Sequence, residues 1–416
     1  MDVLQPARLD HAGVRNGGKG LLALALMASR NRTLAWMTAI EEALGTPALT
    51  ASSHADVDPP LWTLAHLGWF QEHWIVRHVQ RRRGAAADVD APRVGASVFV
   101  EPGGLGDAAP RDPAGRRAAA AALPDAGIVR ERCAALLEQV LETLEAEPEE
   151  DDASLWAYRL AVLHEDRLAE QFAVLAQTLG FAVAAEAGPI ALPAARAPLV
   201  VPATRWRLGD GASGFVRDID TGDEPVAVPD FEIDAQPVSW AQYGDFVEDG
   251  GYDEPAHWSA AGWAWLAREA RRTPRHVEQL RHGVLQRRFG RVQRVPPGAP
   301  VVHVARHEAE AWCRWAGRRL PAEVEWEVAA TRAAARGFRV GTVREWTAST
   351  LRPFDGWRPG PRRALVERAF GVEPVLRGWS AATPATCADL RRREHAAPEA
   401  DAGFVGFRTC AAEGGT

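Results

Sequence analysis

The chain has 416 residues, 47% of them hydrophobic and 25% charged, and a formal net charge of −7 at pH 7. A globular chain of this length is too long for one ordinary core, so we expect about two domains. The small negative charge excludes a basic field for nucleic acid, and no apolar run of about 18 residues predicts a membrane span.

The four cysteines show no C-x-x-C pair and no disulfide framework spacing, which fits a reducing compartment and offers no thiol metal site. The N-terminal residues lack a basic segment followed by an apolar core, so we expect no export signal. These features predict a cytoplasmic protein without nucleic-acid or membrane partners.

Apolar residues at helical spacing dominate the first part of the chain. They predict helices at residues 19–44, 58–80, 128–146 and around 160–172. In the second helix, Asp58 is the expected N-cap and Pro59 the first-turn residue. Residues 1–185 therefore predict a four-helix bundle.

The amino-acid composition changes outside these helices. Residues 84–123 are rich in Ala, Gly and Pro and predict a loop, and residues 186–202 predict a linker. In residues 203–416, short apolar runs alternate with Gly, Pro and Asp, and one clear helix is expected at about 307–317. The fold class predicted is α+β with several domains, a helical bundle followed by a mixed domain with much irregular structure.

Two histidines are candidate metal ligands. His66 and His164 fall on predicted buried faces of different bundle helices, and bundles place metal ligands on facing helices. A buried histidine with structural hydrogen bonds is the more frequent alternative. The zinc protease motif would need a second histidine four residues after His164, where this chain has Leu168. Asp166 and Glu170 are either solvated helix charges or, if one turns inward, the carboxylate of a two-histidine iron site.

The chain contains 16 tryptophans and only 3 tyrosines. Tryptophan fills large cores between irregular segments, which is one explanation for this balance. The alternative is that some tryptophans line a pocket for a cation, because the indole face attracts quaternary ammonium groups.

Seven segments, in this order, resemble one family. They are PLWTLAHLGWF at 60–70, LHEDRLAEQF at 163–172, EDGGYDEPAHWSAAGWAWL at 248–266, WCRWAGRRLPAEVEWEVAA at 312–330, VREWTAS at 343–349, VLRGWSAATP at 375–384 and GFRTC at 406–410. Nearly the whole chain thus resembles the EgtB-type nonheme iron synthases. In that family a DinB-like four-helix bundle precedes a C-type-lectin-like domain of the formylglycine-generating, sulfatase-modifying-factor fold. Segments 79–93 and 271–296 are most similar to the SenA branch, the selenoneine synthases.

The resemblance implies bond formation, with Fe(II) and O2, between a chalcogen donor and the imidazole of hercynine, the trimethylated betaine of histidine. In the SenA branch the donor is a selenosugar, whereas EgtB uses a thiol and forms a sulfoxide. By position, His66 and His164 are implied iron ligands. Trp346, Trp357 and Trp379 are candidates for binding the trimethylammonium group.

The chain departs from the family pattern at several positions. The resemblance implies a third iron ligand at 168, where the chain has Leu168, so the third ligand is open, with Glu170 or Asp166 as candidates. The catalytic tyrosine of EgtB falls at Phe354, whose phenyl ring has no proton to supply. Arg344 stands within the segment where family members have V-W-E-W-T.

Three hypotheses follow from these departures. The chain is an iron-dependent synthase, or a divergent paralogue that has lost iron and acts as a binding or non-catalytic protein, or a repurposed oxygenase with iron held by two histidines and one carboxylate. Formylglycine-generating activity is disfavoured, because it needs two nearby cysteines and only Cys387 lies in the corresponding region.

Overall fold

The computed structural model describes residues 9–51, 57–99, 113–182, 196–211, 214–280 and 283–412. These ranges form a helical N-terminal half and a C-terminal half of short strands and helices. Within them, no helix is both long and apolar enough to cross a membrane.

Seven α-helices lie in the described part of the N-terminal half. They are α1 (His11–Asn16), α2 (Lys19–Leu44), α3 (Ala48–Ala51), α4 (Pro60–Gln71), α5 (Pro113–Ala121), α6 (Ala126–Glu145) and α7 (Asp152–Leu179). The longer helices α2, α4, α6 and α7 pack around one hydrophobic core. Helix α2 has the predicted bounds, and α6 begins two residues before its predicted start.

Helix α4 begins differently from its prediction. Pro59 is the N-cap, without a side-chain capping bond, and Pro60 opens the first turn. The prediction of Asp58 as N-cap is wrong, because its carboxylate instead pairs with Arg116 at 2.8 Å. Proline at the first turn needs no amide partner, so the helix starts without a polar cap.

The end of α4 also differs from its prediction. The chain continues as a π-helix, Glu72–Val76, and then as a 3-10 turn, Arg81–Ala86, instead of running to residue 80 as one α-helix. The predicted loop at 84–123 is therefore structured at its start, and α5 occupies part of its end. Residues 100–112 of that loop lie outside the described residues.

Helix α7 spans 28 residues and carries His164. It begins where the Asp151 side chain accepts a hydrogen bond from the Ser154 amide at 2.7 Å, and it ends at Gly180 with a φ of 76°. Most of its residues are buried, because α2 covers one side and the C-terminal half another. A helix so placed can present side chains to both halves of the protein.

Five α-helices lie in the described part of the C-terminal half. They are α8 (Trp240–Glu248), α9 (Ala260–Glu269), α10 (Arg306–Trp315), α11 (Glu323–Arg332) and α12 (Arg363–Ala369). Helix α10 confirms the helix expected at about 307–317, whereas the other four were not expected. The others are short and depend on local caps, such as Ser239 before α8 and Ser259 before α9, rather than on a long apolar stripe.

The strands of the described residues form four small sheets. In chain order they are β1 (Leu199–Val201), β2 (Thr204–Leu208), β3 (Glu224–Val228), β4 (Phe231–Ile233), β5 (Val277–Gln279), β6 (Val284–Arg288), β7 (Arg291–Val295), β8 (Arg318–Arg319), β9 (Arg344–Thr350), β10 (Pro374–Arg377), β11 (Glu394–His395), β12 (Val405–Phe407) and β13 (Cys410–Ala411). The sheet orders are β1-β4-β13-β8, β11-β10-β9-β12, β2-β3 and β5-β6-β7. Only the β9 and β12 pair is parallel among them, with Val405 opposite Arg344. Strand β1 lies within the predicted linker at 186–202, and the domain boundaries stay a prediction.

Candidate active site

His66 in α4 and His164 in α7 point their rings at each other. Their Nε2 atoms are 3.0 Å apart. His66 stacks on Trp62 with ring centroids 5.0 Å apart, and His164 stacks on Phe70 at 3.9 Å. These ring contacts support the facing arrangement of the two imidazoles. The structure thus brings together the two histidines that the sequence singled out, and their ligation of a metal stays a prediction.

The surroundings keep His164 uncharged. Burial lowers the pKa of His164 well below its ordinary value, and the nearby His66, Arg362 and Arg167 lower it further. A neutral imidazole keeps the nitrogen lone pair that a metal needs. The Nδ1 atom of His164 is buried without a hydrogen-bond partner in the described part of the chain.

The geometry suits two neighbouring positions on one metal ion. Two nitrogens bound at about 2.1 Å and at right angles lie about 3 Å apart, which matches the separation of the two Nε2 atoms. Among the residues that the structure describes, no cluster of three or more His, Cys, Asp or Glu side chains could hold a metal. Leu168 is buried and supplies no ligand. Within the described residues, the two imidazoles are thus candidate ligands without a third ligand side chain beside them.

Glu170, one candidate for a third ligand, is engaged with the C-terminal half. Its carboxylate accepts hydrogen bonds from Arg344, from Ser380 Oγ at 3.0 Å and from Thr383 Oγ1 at 3.0 Å. Because both oxygens already accept from buried donors, a metal would have to displace these partners. The structure thus shows Glu170 as a contact between the two halves.

Asp166, the other candidate for a third ligand, also has hydrogen-bond partners on both of its carboxylate oxygens. One of its carboxylate oxygens accepts from Arg32 and the other from Thr386 Oγ1. Burial raises the pKa of Asp166, and the pairing with Arg32 opposes that effect. Its interactions link α7 to α2 and to the C-terminal half.

The other predicted site residues have contacts of their own in the C-terminal half. Trp346 is fully buried and donates its indole N–H to the Val304 carbonyl at 2.8 Å, and its contact with substrate stays a prediction. Phe354 is buried under the Arg393 guanidinium, 4.2 Å from the ring centroid. The remaining predicted contacts, Trp357 and Trp379, line neither of the cavities described next.

Two adjacent cavities lie between the bundle and the C-terminal half. The larger has a volume of about 190 Å³, and its wall includes Trp74, His78, Gly84, Trp156, Val216 and Pro359. The smaller has a volume of about 20 Å³, and its wall includes Leu163, His164, Arg167, Arg217, Arg362 and Arg392. Trp156, Asp218 and Pro361 line both. His164 therefore lies in the wall of a cavity that is lined by both halves of the chain.

Sequence reasoning missed most of the cavity residues. Trp156 is not among the predicted site residues, although it lines both cavities and its indole nitrogen is buried without an acceptor among the described residues. Arg362 and Arg363 are indistinguishable as a sequence pair. In the structure Arg362 lines the small cavity, whereas Arg363 pairs with Asp90 at the surface.

The chain is similar in sequence to known proteins over most of its length. Residues 186–339 match the family described as the sulfatase-modifying factor enzyme 1-like domain. The chain is 29% identical to hercynine oxygenase of Mycolicibacterium thermoresistibile over 92% of this chain and 93% of that protein. It is 31% identical to hercynine oxygenase of Mycobacterium tuberculosis, over 78% of this chain and 84% of that protein. The hercynine oxygenase of Mycolicibacterium smegmatis is 31% identical over 77% of this chain and 73% of its own length.

The matched domain and the helical half that precedes it define a mixed helix-and-sheet enzyme of the oxygenase class. The chain belongs to the EgtB-type family, that of the hercynine oxygenases. The family predicted from the seven sequence segments is thereby confirmed.

Proposed function

We propose that this protein joins a chalcogen donor to the imidazole of hercynine in a reaction that requires Fe(II) and O2. The observation that carries the proposal is the 3.0 Å approach of His66 Nε2 to His164 Nε2, in a chain similar to hercynine oxygenases over most of its length. When bound, iron supplies the O2 activation that this oxidation needs.

The protein's own contribution is to hold and shield the reacting groups. His66 and His164 would occupy two neighbouring coordination positions and leave the others to water, O2 and substrate. Phe70 packs against the His164 ring and Trp62 against the His66 ring, so bulk water is kept from two ring faces. Ring stacking on both imidazoles restricts their rotation, which would reduce the ordering cost of the reaction.

For the donor, we favour a selenosugar over a charged thiol and assign it to the larger cavity. The Nδ1 atom of His78 accepts the Gln80 amide at 3.0 Å, so its Nε2 carries the proton. That Nε2 and the indole nitrogens of Trp74 and Trp156 are buried donors without acceptors in the described chain. The hydroxyl oxygens of a sugar would satisfy such donors, and indole faces pack well against its C–H groups.

The charges around this cavity also favour an uncharged donor. Burial, reinforced by the nearby Arg93, lowers the pKa of His78 to about 4, so the imidazole is neutral at physiological pH. Arg81 is already paired with Glu147 at 2.7 Å. A charged thiol would rely mainly on Arg358, which is exposed at the cavity wall.

No phenol is available to the substrate in this proposal. The chain has 3 tyrosines, and none of them lines either cavity. Tyr158 donates to Glu147, while the hydroxyl groups of Tyr243 and Tyr252 contact each other at 2.9 Å in the core. The reaction that we propose therefore does not use the phenolic proton donor that resemblance to EgtB implies at Phe354.

A second candidate function rests on Leu168 and on the engaged carboxylates. A protein with two histidine ligands and no third described ligand binds iron more weakly than a three-ligand site. On this alternative the chain is a divergent paralogue that binds small molecules without catalysis, or an oxygenase repurposed for another substrate.

Anaerobic Fe(II) titration and O2 uptake test these functions together. We expect about one iron per chain in the parent, its loss in the His66→Ala, His164→Ala double variant, and O2 uptake that requires both hercynine and a 1-selenohexose. Mass spectrometry identifies the carbon–selenium product, with 1-thioglucose and cysteine as alternative donors. If the parent and the double variant bind iron with equal affinity, the synthase hypothesis is wrong and the non-catalytic paralogue is supported. Uptake without a hercynine adduct indicates a repurposed oxygenase.

A further inference from the structure

Arg362 has a buried charge and no acceptor. Its Nη2 atom is buried without a hydrogen-bond partner, and no ion pair reaches it in the described part of the chain, although part of the residue is exposed. Burial and the neighbouring Arg167 and Arg217 lower the pKa of Arg362 to about 9. A buried cation without a partner is unfavourable, so such a position is stabilised by an anion from outside the chain.

The other three arginines in the wall of the small cavity already have partners. Arg167 contacts Glu394 at 3.3 Å, and Arg392 contacts the same carboxylate at 2.8 Å. Arg217 pairs with Asp220 at 2.6 Å and with Glu394 at 3.0 Å. Glu394 thus contacts these three guanidinium groups and also lies 4.0 Å from a fourth, that of Arg344, whereas it forms no ion pair with Arg362 in the described structure.

Asp218 is the remaining acid in this wall, and its charge attracts Arg362 without direct contact between the two side chains. Its carboxylate accepts the Gly360 amide at 3.1 Å, and it forms no hydrogen bond or ion pair with Arg362 in the described structure. The wall therefore presents an excess of positive charge beside the uncharged His164. An anionic group in the cavity would meet a guanidinium whose donors are unused.

The size of the small cavity limits the anion. Its volume of about 20 Å³ is enough for one or two water-sized groups, since a single water needs roughly 10–15 Å³. We infer that Arg362 binds a substrate carboxylate in this cavity, which has His164 in its wall. A carboxylate matches the planar fork of a guanidinium and leaves the rest of the substrate in the adjoining larger space.

The identity of the substrate rests on the proposed function. Hercynine carries one carboxylate near its imidazole, and a cysteine-type donor carries another, whereas a sugar donor carries none. Recognition of a carboxylate by Arg362 therefore has two sources, which binding measurements with separate probes distinguish.

Anaerobic isothermal titration of the full-length protein tests the inference without turnover. The probes are hercynine, its decarboxylated analogue N,N,N-trimethylhistamine, and cysteine, each added to the parent and to Arg362→Leu and Arg362→Lys. We expect the parent to prefer hercynine over the analogue by about 10- to 100-fold, the range of a charge-assisted hydrogen bond. Arg362→Leu should bind hercynine and its decarboxylated analogue with similar affinity. Arg362→Lys should keep part of the preference for hercynine. Weakened cysteine binding with unchanged hercynine binding would assign the carboxylate to the donor.

The melting temperature of the ligand-free variant distinguishes a role of Arg362 in ligand binding from a role in stabilising the fold. Removing an uncompensated buried charge should leave the melting temperature of ligand-free Arg362→Leu unchanged or higher. The matched control is Arg352→Leu, in which an exposed arginine of the same region loses its surface contact with Glu224. The inference is overturned if Arg362→Leu binds the probes that carry a carboxylate with the same preference over the carboxylate-free probe as the parent does. Because no O2 is consumed, this result is independent of whether the protein proves to be a synthase.

Discussion

The carboxylate of Glu170 in α7 and the guanidinium of Arg344 in β9 form a buried ion pair between the two halves of the protein. Arg344 Nε donates to Glu170 Oε1 at 3.2 Å, and Arg344 Nη2 donates to the other oxygen. Glu170 follows His164 by six residues, about 9 Å along a helix. The pair therefore holds α7 against the C-terminal half close to the candidate metal site.

Removing one partner of this pair should be strongly destabilising. We expect Glu170→Ala to lower the free energy of unfolding by about 3–5 kcal/mol, because Arg344 stays buried without its counter-ion. Urea denaturation measures the change. The control is Asp223→Ala, which breaks an exposed pair with Arg207 and should cost less than about 1 kcal/mol. Similar losses in the two variants would mean that the buried pair has no special role.

A histidine at position 168 should complete the metal site. Leu168 lies one helical turn after His164 on the same helix, so Leu168→His places an imidazole on the same face. We expect anaerobic Fe(II) affinity to rise at least about tenfold, because an added ligand contributes more than the outer-sphere contacts that typically change affinity by 10–100-fold. Cobalt(II) absorption provides a second readout of ligand number.

The control for that variant is Leu175→His. Leu175 is fully buried in the same helix, 11 residues after His164, which is about 16 Å along the axis. It therefore introduces a buried histidine too far away to share the metal. If both variants gain iron affinity alike, position 168 is not part of the metal site.

Sequence reasoning predicted the parts of the structure that depend on long periodic helices. The bounds of α2 and the meeting of His66 with His164 both follow from apolar periodicity and from family-like segments. The π-helix after Gln71 did not, because its apolar spacing resembles that of a continuing α-helix.

The cavity residues depend on tertiary structure, which explains why the sequence did not reveal them. Arg362 and Arg363 are adjacent arginines, and only the packing of α12 on the bundle side gives them different surroundings. Trp346 was equally ambiguous, because a tryptophan in a core strand and one at a ligand site have the same local sequence signature. Contacts between the two halves determine which role each side chain has.

Glu308 should make stability depend on pH. Burial raises the pKa of Glu308 from 4.5 to about 7, while the Tyr252 hydroxyl, which donates at 2.6 Å, partly opposes this rise. The folded protein holds the proton more tightly than the unfolded chain does. The contribution is therefore fully present below about pH 4.5 and is lost as the pH rises to about 7.

We expect the parent to lose up to about 3 kcal/mol more than Glu308→Gln between pH 5 and pH 8, which corresponds to a difference of two to three pKa units. Urea denaturation at a series of pH values measures the difference. Glu310→Gln, at a partly exposed position of the same helix, is the control and should keep the pH dependence of the parent. An identical pH dependence in parent and Glu308→Gln would contradict the assignment.

Gly84 should be required for the shape of the larger cavity. Its φ of 55° is in the left-handed region, and a Cβ atom there would lie 2.8 Å from the Ala153 Cα. Gly84→Ala should therefore push the 3-10 turn away from α7 and from Trp156, which lines the same cavity. We expect a loss of about 1–3 kcal/mol in stability and weaker binding of 1-thioglucose, with hercynine binding retained.

The control is Gly95→Ala, which tests backbone strain without the steric clash expected at Gly84. Gly95 also has a positive φ, 69°, but a Cβ atom there would meet nothing within 4 Å. Gly95→Ala should thus show only the conformational cost of about 1 kcal/mol and keep the parent's affinity for 1-thioglucose. Titration calorimetry of both variants decides the question, because equal effects on sugar affinity would attribute the loss to backbone strain. A selective loss in Gly84→Ala would support the proposed position of the donor against the turn beside α7, near the unpaired nitrogens of Trp74, His78 and Trp156.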